Sequence, residues 1–230
     1  MTFILTNDDG IDAPGIQALR QALALYGVTQ AVTVAPQRPH SGCSHQLTRH
    51  RPIAIDRRSE ESIALDGTPA DCARVAVNAL VPNAKYILSG INAGGNMGAD
   101  VHVSGTVAAV REGLLHRVPG IAISQYINKR QPIDWDVAAQ RTAKVLSLLL
   151  NKPPEPGTFW NVNLPSVSAA APTPDIIFCP ACSQPLPTDY QLDHDAIRYV
   201  GEYSQRPRDP GSDIDVCFSG AIAVSQVRVY

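Results

Sequence analysis

Two adjacent carboxylates stand near the start of the chain, in the segment NDDG at positions 7–10. The short apolar run before them, Phe3–Thr6, is predicted to be a buried strand. Adjacent carboxylates at the end of a strand repel each other unless a cation neutralises them. Mg²⁺ and Mn²⁺ prefer hard oxygen ligands of this kind. Asp8 and Asp9 are therefore candidate metal ligands, and an ordinary helix-capping turn is the alternative.

A second polar loop, PQRPHSGCSH at positions 36–45, follows the next predicted strand, Ala31–Ala35. Arg38 could grip a phosphate with two guanidinium nitrogens at once. His40 and His45 are candidate general acids for a leaving alkoxide. A solvated loop without a chemical role is the alternative for all three side chains.

A glycine-rich segment, SGINAGGNMG at positions 89–98, follows a third predicted strand, Tyr86–Leu88. Its glycines let the backbone pass close to a ligand, and its asparagines supply neutral oxygen and NH₂ groups. The residues SGT at 104–106 then begin a helix, whose free N–H groups and dipole favour an anion. A metal-binding loop and an anion-binding helix start at one sheet edge predict a phosphoryl substrate. A structural turn with a helix cap is the alternative.

The elements that must position these residues alternate between strand and helix over the first two-thirds of the chain. The first helix is predicted to be capped by Asp12, with Pro14 in its first turn, and the second to begin at Pro69. This alternation indicates an α/β fold, with a parallel sheet and helices on both faces. Acids stand after the first strand where a GxGxxG fingerprint would be needed, which argues against a dinucleotide enzyme.

The chain divides into a predicted core, residues 1–165, and a proline-rich remainder, residues 166–230. Strands are predicted in the remainder at Ile197–Glu202 and Ile214–Arg228. Helical periodicity is not recognisable there, so we expect a β-rich extension that belongs to the same domain.

Composition excludes several classes of function. The formal net charge is −2, so no global basic field attracts a nucleic-acid polymer or a membrane surface. No apolar run reaches the roughly 18 residues of a membrane span. The first residues lack the basic start and the long apolar stretch of a signal peptide, and we expect a cytoplasmic protein.

Four segments occur together and in order: TNDDGIDAPGI (6–16), APQRPHSGCSHQLT (35–48), GTPADCARVAVNAL (67–80) and SGINAGGNMGADVHVSGTVAAVREG (89–113). They closely resemble the SurE survival-protein family of nucleotidases, and WNVNLP (160–165) and GSDIDVCFSGAIAVSQ (211–226) resemble its later blocks. The resemblance implies a Rossmann-like three-layer core and a homodimer or homotetramer with exchanged C-terminal elements. It also implies metal-dependent hydrolysis of nucleoside 5′-monophosphates, together with 3′-nucleotides and short polyphosphate in some members.

By the same resemblance, one divalent cation per subunit, Mg²⁺ or Mn²⁺, would be bound by Asp8, Asp9, Ser41 and Asn92. The phosphate pocket would be lined by Asn96, Ser104, Gly105 and Thr106. Catalysis would rest on Asp8, Asp9 and Asn96.

One departure from the family pattern and two rival functions stay open. The family usually reads SGASNSLT where this chain reads SGCSHQLT, so His45 and Gln46 leave the substrate preference open. A non-catalytic nucleotide-binding module would use the same pocket as a sensor. A sugar-nucleotide transferase would also use acids and metal, but it would normally need a second large domain. The attacking group is either metal-bound water or a carboxylate.

Overall fold

The computed structural model describes residues 2–128 and 131–230, which form a nine-stranded sheet covered by helices on both faces. The strand order is β3 (55–59), β4 (62–65), β2 (31–36), β1 (3–6), β5 (86–93), β6 (120–125), β7 (158–164), β11 (222–228) and β8 (176–178). The six central strands from β4 to β7 run parallel. The predicted α/β class with a mainly parallel sheet is confirmed. Within the described residues, no helix has the length and apolar character needed to cross a membrane.

The bounds of the elements are as follows. The strands are β1 Phe3–Thr6, β2 Ala31–Pro36, β3 Ile55–Ser59, β4 Ser62–Leu65, β5 Tyr86–Ala93, β6 Gly120–Gln125, β7 Thr158–Leu164, β8 Ile176–Phe178, β9 Tyr190–Asp193, β10 Ala196–Tyr199 and β11 Ile222–Arg228. The helices are α1 Pro14–Leu25, α2 Pro69–Val75, α3 Gly105–Leu115, α4 Trp135–Leu149 and α5 Asp213–Phe218.

Helix α1 packs beside α4 on one face of the sheet, and α2 packs beside α3 on the other. In α1 the residues Ile16, Leu19 and Leu23, which lie on one face of the helix, are buried. The predicted cap was wrong: Ala13 is the N-cap residue and makes no side-chain cap. Asp12 instead forms an ion pair with Arg58, because a guanidinium is a stronger partner for a carboxylate than a backbone N–H.

Helix α2 begins at Pro69, as predicted, and its start is fixed by a reciprocal capping box. The Thr68 hydroxyl accepts the Asp71 N–H at 3.1 Å, and Asp71 accepts the Thr68 N–H at 3.0 Å. Asp71 also accepts the Thr48 N–H at 2.9 Å. Because its carboxylate is occupied by backbone donors, Asp71 holds the segment that follows the second polar loop against α2.

Strand β1 lies between β2 and β5, where the order of the chain in the sheet reverses. Ligands of open α/β sheets bind in the crevice outside the carboxyl ends of the strands at such a switch point. Strand β5 continues to Ala93, beyond the predicted end at Leu88, because Asn92 pairs with Ser124 of β6 after an irregularity in register. The end of β1 and the end of β5 therefore border one crevice.

The C-terminal third extends the same sheet. Strand β11 pairs antiparallel with β7, and β8 pairs parallel with β11 at the sheet edge. The predicted strand Ile214–Arg228 was wrong in its first part, where α5 lies; Ile214 and Cys217 of α5 pack against Met97. The other predicted strand ends at Tyr199 as β10, which pairs only with β9 in a separate hairpin.

Candidate functional site

A cavity of about 260 Å³ lies at the switch point. Its walls come from the segments that follow β1 and β2 and from the end of β5 with the loop before α3. The lining includes Asp8, Asp9, Ser41, Asn92, Asn96, Asp100 and Ser104. The structure thus brings together all four predicted metal ligands with two of the predicted phosphate-binding residues.

Asp8 is the most buried acid of this cavity, with 5% of its surface exposed. Burial raises the pKa of its carboxyl, hydrogen bonds from the Thr106 hydroxyl and backbone lower it, and the charge of Asp9 raises it again. The net result is a pKa of about 6, above the ordinary value of 3.8. The site therefore holds negative charge that the surrounding protein does not compensate.

The first turn of α3 packs closely against Asp8 and does not face an open pocket. A Cβ on Gly105 would lie 2.8 Å from the Asp8 Cβ and 2.9 Å from the Cys43 sulfur, so only glycine allows this close approach. The Thr106 side chain is buried and its hydroxyl donates to Asp8. Ser104 lines the cavity, whereas Gly105 and Thr106 support Asp8 from behind.

Asp9 and Asn92 are oriented by short-range contacts at the end of β5. The Ala93 N–H donates to Asp9 Oδ2 at 3.1 Å, which ties the acidic segment to β5. The Asn92 amide nitrogen donates to the Gly94 carbonyl at 2.8 Å. This bond fixes the side chain of Asn92. Its Oδ1 is left to ligate a cation or to accept a hydrogen bond.

Asn96 is held by three polar residues that the sequence analysis missed. Its N–H donates to Asn163 Oδ1 at 2.8 Å, and its side-chain nitrogen donates to Ser124 Oγ at 2.8 Å. Its carbonyl accepts from the Asn161 and Asn163 amides at 2.8 and 3.0 Å. The available signal was the alternation of asparagines in WNVNLP, because two amides on one face of a fully buried strand need polar partners.

The second polar loop places one of its predicted residues in the cavity. The His40 N–H donates to the Asp8 carbonyl at 2.7 Å, which positions Ser41 at the cavity wall. His45 points elsewhere: its Nε2 lies 2.8 Å from Glu112 Oε2. Neither histidine lines the cavity, and Arg38 is exposed to solvent. The candidate general acids and the candidate phosphate-gripping arginine therefore do not contribute to the lining of this cavity.

The donor set suits a hard divalent cation. Two carboxylates, one hydroxyl and one amide oxygen are the oxygen ligands that Mg²⁺ and Mn²⁺ prefer. Within residues 2–128 and 131–230, no group of three or more His, Cys, Asp or Glu side chains could hold a metal. A cation at Asp8 and Asp9 would therefore complete its shell with neutral oxygens and water. It would also offset the burial and the charge of Asp9, which together raise the pKa of Asp8.

Comparisons of the sequence and of the structure with known proteins point to the same family. The sequence pattern of the family described as survival protein SurE matches residues 3–184. A provisionally named 5′-nucleotidase of Nostoc sp. (strain PCC 7120) is 53% identical over 229 residues, covering 100% of both chains. The 5′-nucleotidase SurE of Paramagnetospirillum magneticum is 36% identical over 98% of this chain and 88% of its own. The crystal structure of the SurE protein from Aquifex aeolicus has a TM-score of 0.86 and 29% identity, covering 99% of this chain and 93% of that chain.

Proposed function

The chain belongs to the SurE survival-protein family, and on that premise we propose that it is a metal-dependent phosphatase that hydrolyses nucleoside 5′-monophosphates to nucleoside and phosphate. The names of its relatives support a phosphoric monoester as substrate. The observation that carries the proposal is the cavity at the switch point, where two carboxylates and two neutral oxygen donors stand beside the start of α3.

The proposed metal site consists of Asp8, Asp9, Ser41 and Asn92. A divalent cation bound there would polarise the phosphoryl group and stabilise the charge of the transition state. The protein's own part is to hold the four oxygens in place: Thr106 fixes Asp8, Ala93 fixes Asp9, and the bond to Gly94 fixes Asn92. One cation per subunit fits this set of four donors.

The remaining phosphoryl oxygens are assigned to the wall of the cavity formed by Ser104 and Asn96. Ser104 caps α3 by accepting the Val107 N–H at 3.1 Å, so the positive end of the helix dipole lies behind this wall. Asn96 keeps one amide hydrogen beyond its bond to Ser124. We assign this hydrogen to a phosphoryl oxygen, with the buried asparagines of β7 holding Asn96 in position.

The proposal of further substrates rests on the resemblance to the SurE family. Hydrolysis of 3′-nucleotides and of short polyphosphate is proposed for the same cavity, since the phosphoryl group and not the rest of the substrate meets the acids. The cytoplasmic location stays a prediction from the sequence. The non-catalytic binding module is the competing function, and turnover separates the two.

We also propose that residues 166–230 are one unit with the core and contribute to a homodimer or homotetramer. An isolated two-stranded hairpin is at best marginally stable in water. The hairpin β9–β10 nevertheless exposes apolar and aromatic side chains, namely Tyr190, Leu192, Ile197 and Tyr199. A second subunit that covers them would explain their character, and light scattering of the purified protein measures the oligomer.

The test is phosphate release from 5′- and 3′-nucleoside monophosphates and from tripolyphosphate, with Mg²⁺, with Mn²⁺ and with EDTA. We expect release that requires metal, that EDTA stops, and that an excess of metal restores. Asp9→Asn should lower the rate by about 10²-fold or more, because it removes a charged ligand from the proposed metal site. If folded protein releases no phosphate with either metal, the binding module becomes the better hypothesis.

A further inference from the structure

A second cavity, of about 730 Å³, opens directly beside the acidic one. Its volume lies in the range of small-molecule sites, roughly 300–1,000 Å³. Its walls combine backbone at the end of β5, aromatic side chains and the segment before α5. They consist of Gly94, Gly95, Tyr126, Ile127, Gly201, Glu202, Tyr203 and Ser204. Gly95 lines both cavities, so a ligand can extend from one into the other.

Tyr203 stands at the junction of the two cavities. Its hydroxyl donates to Asp100 Oδ2 at 2.5 Å, and Asp100 itself lines the acidic cavity. A Cβ on Gly95 would lie 3.3 Å from that hydroxyl, so the tyrosine tip touches the shared wall. The ring therefore has a fixed position relative to the acids, although it comes from a distant part of the chain.

A buried arginine holds this arrangement in place. The Arg206 side chain has 0% of its surface exposed, and its Nη1 lies 2.8 Å from Asp100 Oδ2. Its guanidinium carbon lies 4.9 Å from the centroid of the Tyr203 ring. A buried ion pair and a cation–π contact thus fix the ring from two directions.

The walls of the second cavity select for a flat, uncharged group. Tyr126 stacks on Phe218 with ring centroids 4.4 Å apart, and its ring lies 6.3 Å from that of Tyr203. Among the described lining residues, the charged side chain is that of Glu202, an acid. A second phosphate group would be repelled there, whereas a nucleobase can stack on aromatic rings at roughly 1–3 kcal/mol per base.

We propose that the second cavity holds the nucleoside of the substrate, with its base against the ring of Tyr203. The inference rests on the proposed phosphatase function, because it takes the acidic cavity as the place of the phosphate. Tyr203 is then a specificity-determining residue that favours nucleotides over phosphate esters without a base. Because stacking tolerates every base, the cavity discriminates for the presence of a base more than for its identity.

The test compares adenosine 5′-monophosphate with ribose 5-phosphate, which has the same phosphate and sugar but no base. Tyr203→Ala should lower the ratio of their kcat/KM values by about 10-fold, which lies within the range expected for loss of one stacked base. Tyr203→Phe keeps the ring and should keep most of the ratio. Tyr230→Ala is the matched control, because this tyrosine is 53% exposed and contacts Arg117 instead.

Two outcomes overturn the proposal: an unchanged ratio in Tyr203→Ala, or equal losses on both substrates, which would mean that the residue acts through Asp100 alone. Calorimetry with adenosine gives a test without turnover. Adenosine should bind the wild-type protein and bind Tyr203→Ala about 10-fold more weakly. A wild-type protein that binds adenosine but releases no phosphate would overturn the phosphatase function and keep the nucleoside site. Absence of adenosine binding to wild-type protein at millimolar concentration would overturn the nucleoside site itself.

Discussion

Two buried carboxylates lie near opposite ends of helix α3 and behave in opposite ways. Asp8 packs against the first turn and is 5% exposed, and Glu112 lies near the last turn and is 1% exposed. The pKa of Asp8 is raised to about 6, whereas the pKa of Glu112 is lowered to about 2. Burial alone therefore does not decide the charge of an acid in this protein.

The difference comes from the partners. Burial raises the pKa of Glu112, but hydrogen bonds from His45 and Arg74 and the charge of Arg74 outweigh it. The Arg74 Nε lies 2.5 Å from Glu112 Oε1, and the His116 Nε2 lies 3.1 Å from the same oxygen. This cluster satisfies a carboxylate at the unfavourable end of a helix dipole.

Asp8 lies at the favourable end of the same dipole, but burial and the charge of the neighbouring Asp9 raise its pKa by more than the hydrogen bonds from Thr106 lower it. A carboxylate that the fold has already neutralised is structural. A carboxylate that the fold leaves charged and uncompensated in a cavity is a candidate for chemistry. The two ends of α3 thus show both cases within one helix.

The largest expected effect belongs to Asp8→Asn. We expect phosphate release to fall by about 10³-fold or more, because the variant loses a charged ligand of the proposed metal site. We also expect the metal-free protein to become more stable at pH 8, by up to about 3 kcal/mol, since the raised pKa of Asp8 means that its ionised form opposes folding above pH 6. Urea denaturation in EDTA measures this gain.

That gain has a defined pH window. The folded-state pKa of Asp8, about 6, lies above the ordinary value of 3.8. The penalty is therefore absent below the ordinary value, grows as pH rises between the two, and is constant above the folded-state value. Equal stability of variant and wild type at pH 8 without metal would contradict the account of an uncompensated charge.

Thr106→Val should have the next largest effect. The hydroxyl of Thr106 donates to Asp8, so its loss leaves that carboxylate less well fixed. We expect the affinity for Mn²⁺ to fall by about 10-fold, as is typical when an outer partner of a ligand is removed. Calorimetric titration with Mn²⁺ measures the affinity directly.

The control for this substitution is Thr142→Val in α4. Thr142 is also fully buried on a helix, but its hydroxyl has no hydrogen-bond partner within the described part of the chain. The control should keep the Mn²⁺ affinity of the wild type. If both variants lose affinity equally, the effect of Thr106 comes from packing and not from its bond to Asp8.

The acidic cavity could be largely predicted from the sequence, and the reason is topological. Asp8 lies directly after β1 and Asn92 lies near the end of β5, and neighbouring parallel strands end at one edge of the sheet. Local spacing therefore carries most of the information. The helix start at Ser104 could be predicted for the same reason, because a cap is determined by residues within one turn.

Contacts between distant segments could not be predicted in this way. His45 meets Glu112 across 67 positions, and Tyr203 meets Asp100 across 103 positions. Helix α5 was missed because six residues are too few to show a helical period. Its first residue, Asp213, is an acid whose burial depends on distant donors such as the Gly98 N–H, at 2.9 Å.

Glu112→Gln tests the structural role assigned to the carboxylate near the last turn of α3. We expect the free energy of unfolding to fall by about 2 kcal/mol, because a buried carboxylate loses its charge-assisted hydrogen bond to the half-exposed Arg74. The rate of phosphate release per folded molecule should change by less than about 3-fold. The control is Glu155→Gln, whose surface pair with Arg228 should contribute less than about 1 kcal/mol.

The pH dependence of stability provides a second readout for Glu112. Its folded-state pKa of about 2 lies below the ordinary value of 4.5, so its contribution is complete above the ordinary value and is lost as pH falls toward 2. Wild-type stability should therefore fall more steeply than that of Glu112→Gln over this window. Parallel curves for the two proteins would mean that Glu112 is not ionised in the folded state.

The smallest expected effect belongs to His45→Asn, which restores the residue usual in the family at this position. The His45 Nε2 lies 2.8 Å from Glu112 Oε2, so the variant loses one contact to a buried carboxylate. We expect the variant to be less stable than wild type by about 1 kcal/mol in urea denaturation, the usual contribution of one hydrogen bond.

Phosphate release should be unchanged in His45→Asn, because His45 does not line the acidic cavity. A loss of activity without a loss of stability would return His45 to the list of candidate general acids. It would also mean that the structural role of Glu112 and the chemical role of Asp8 are not independent. The residue that contacts Glu112 would then take part in the chemistry at Asp8.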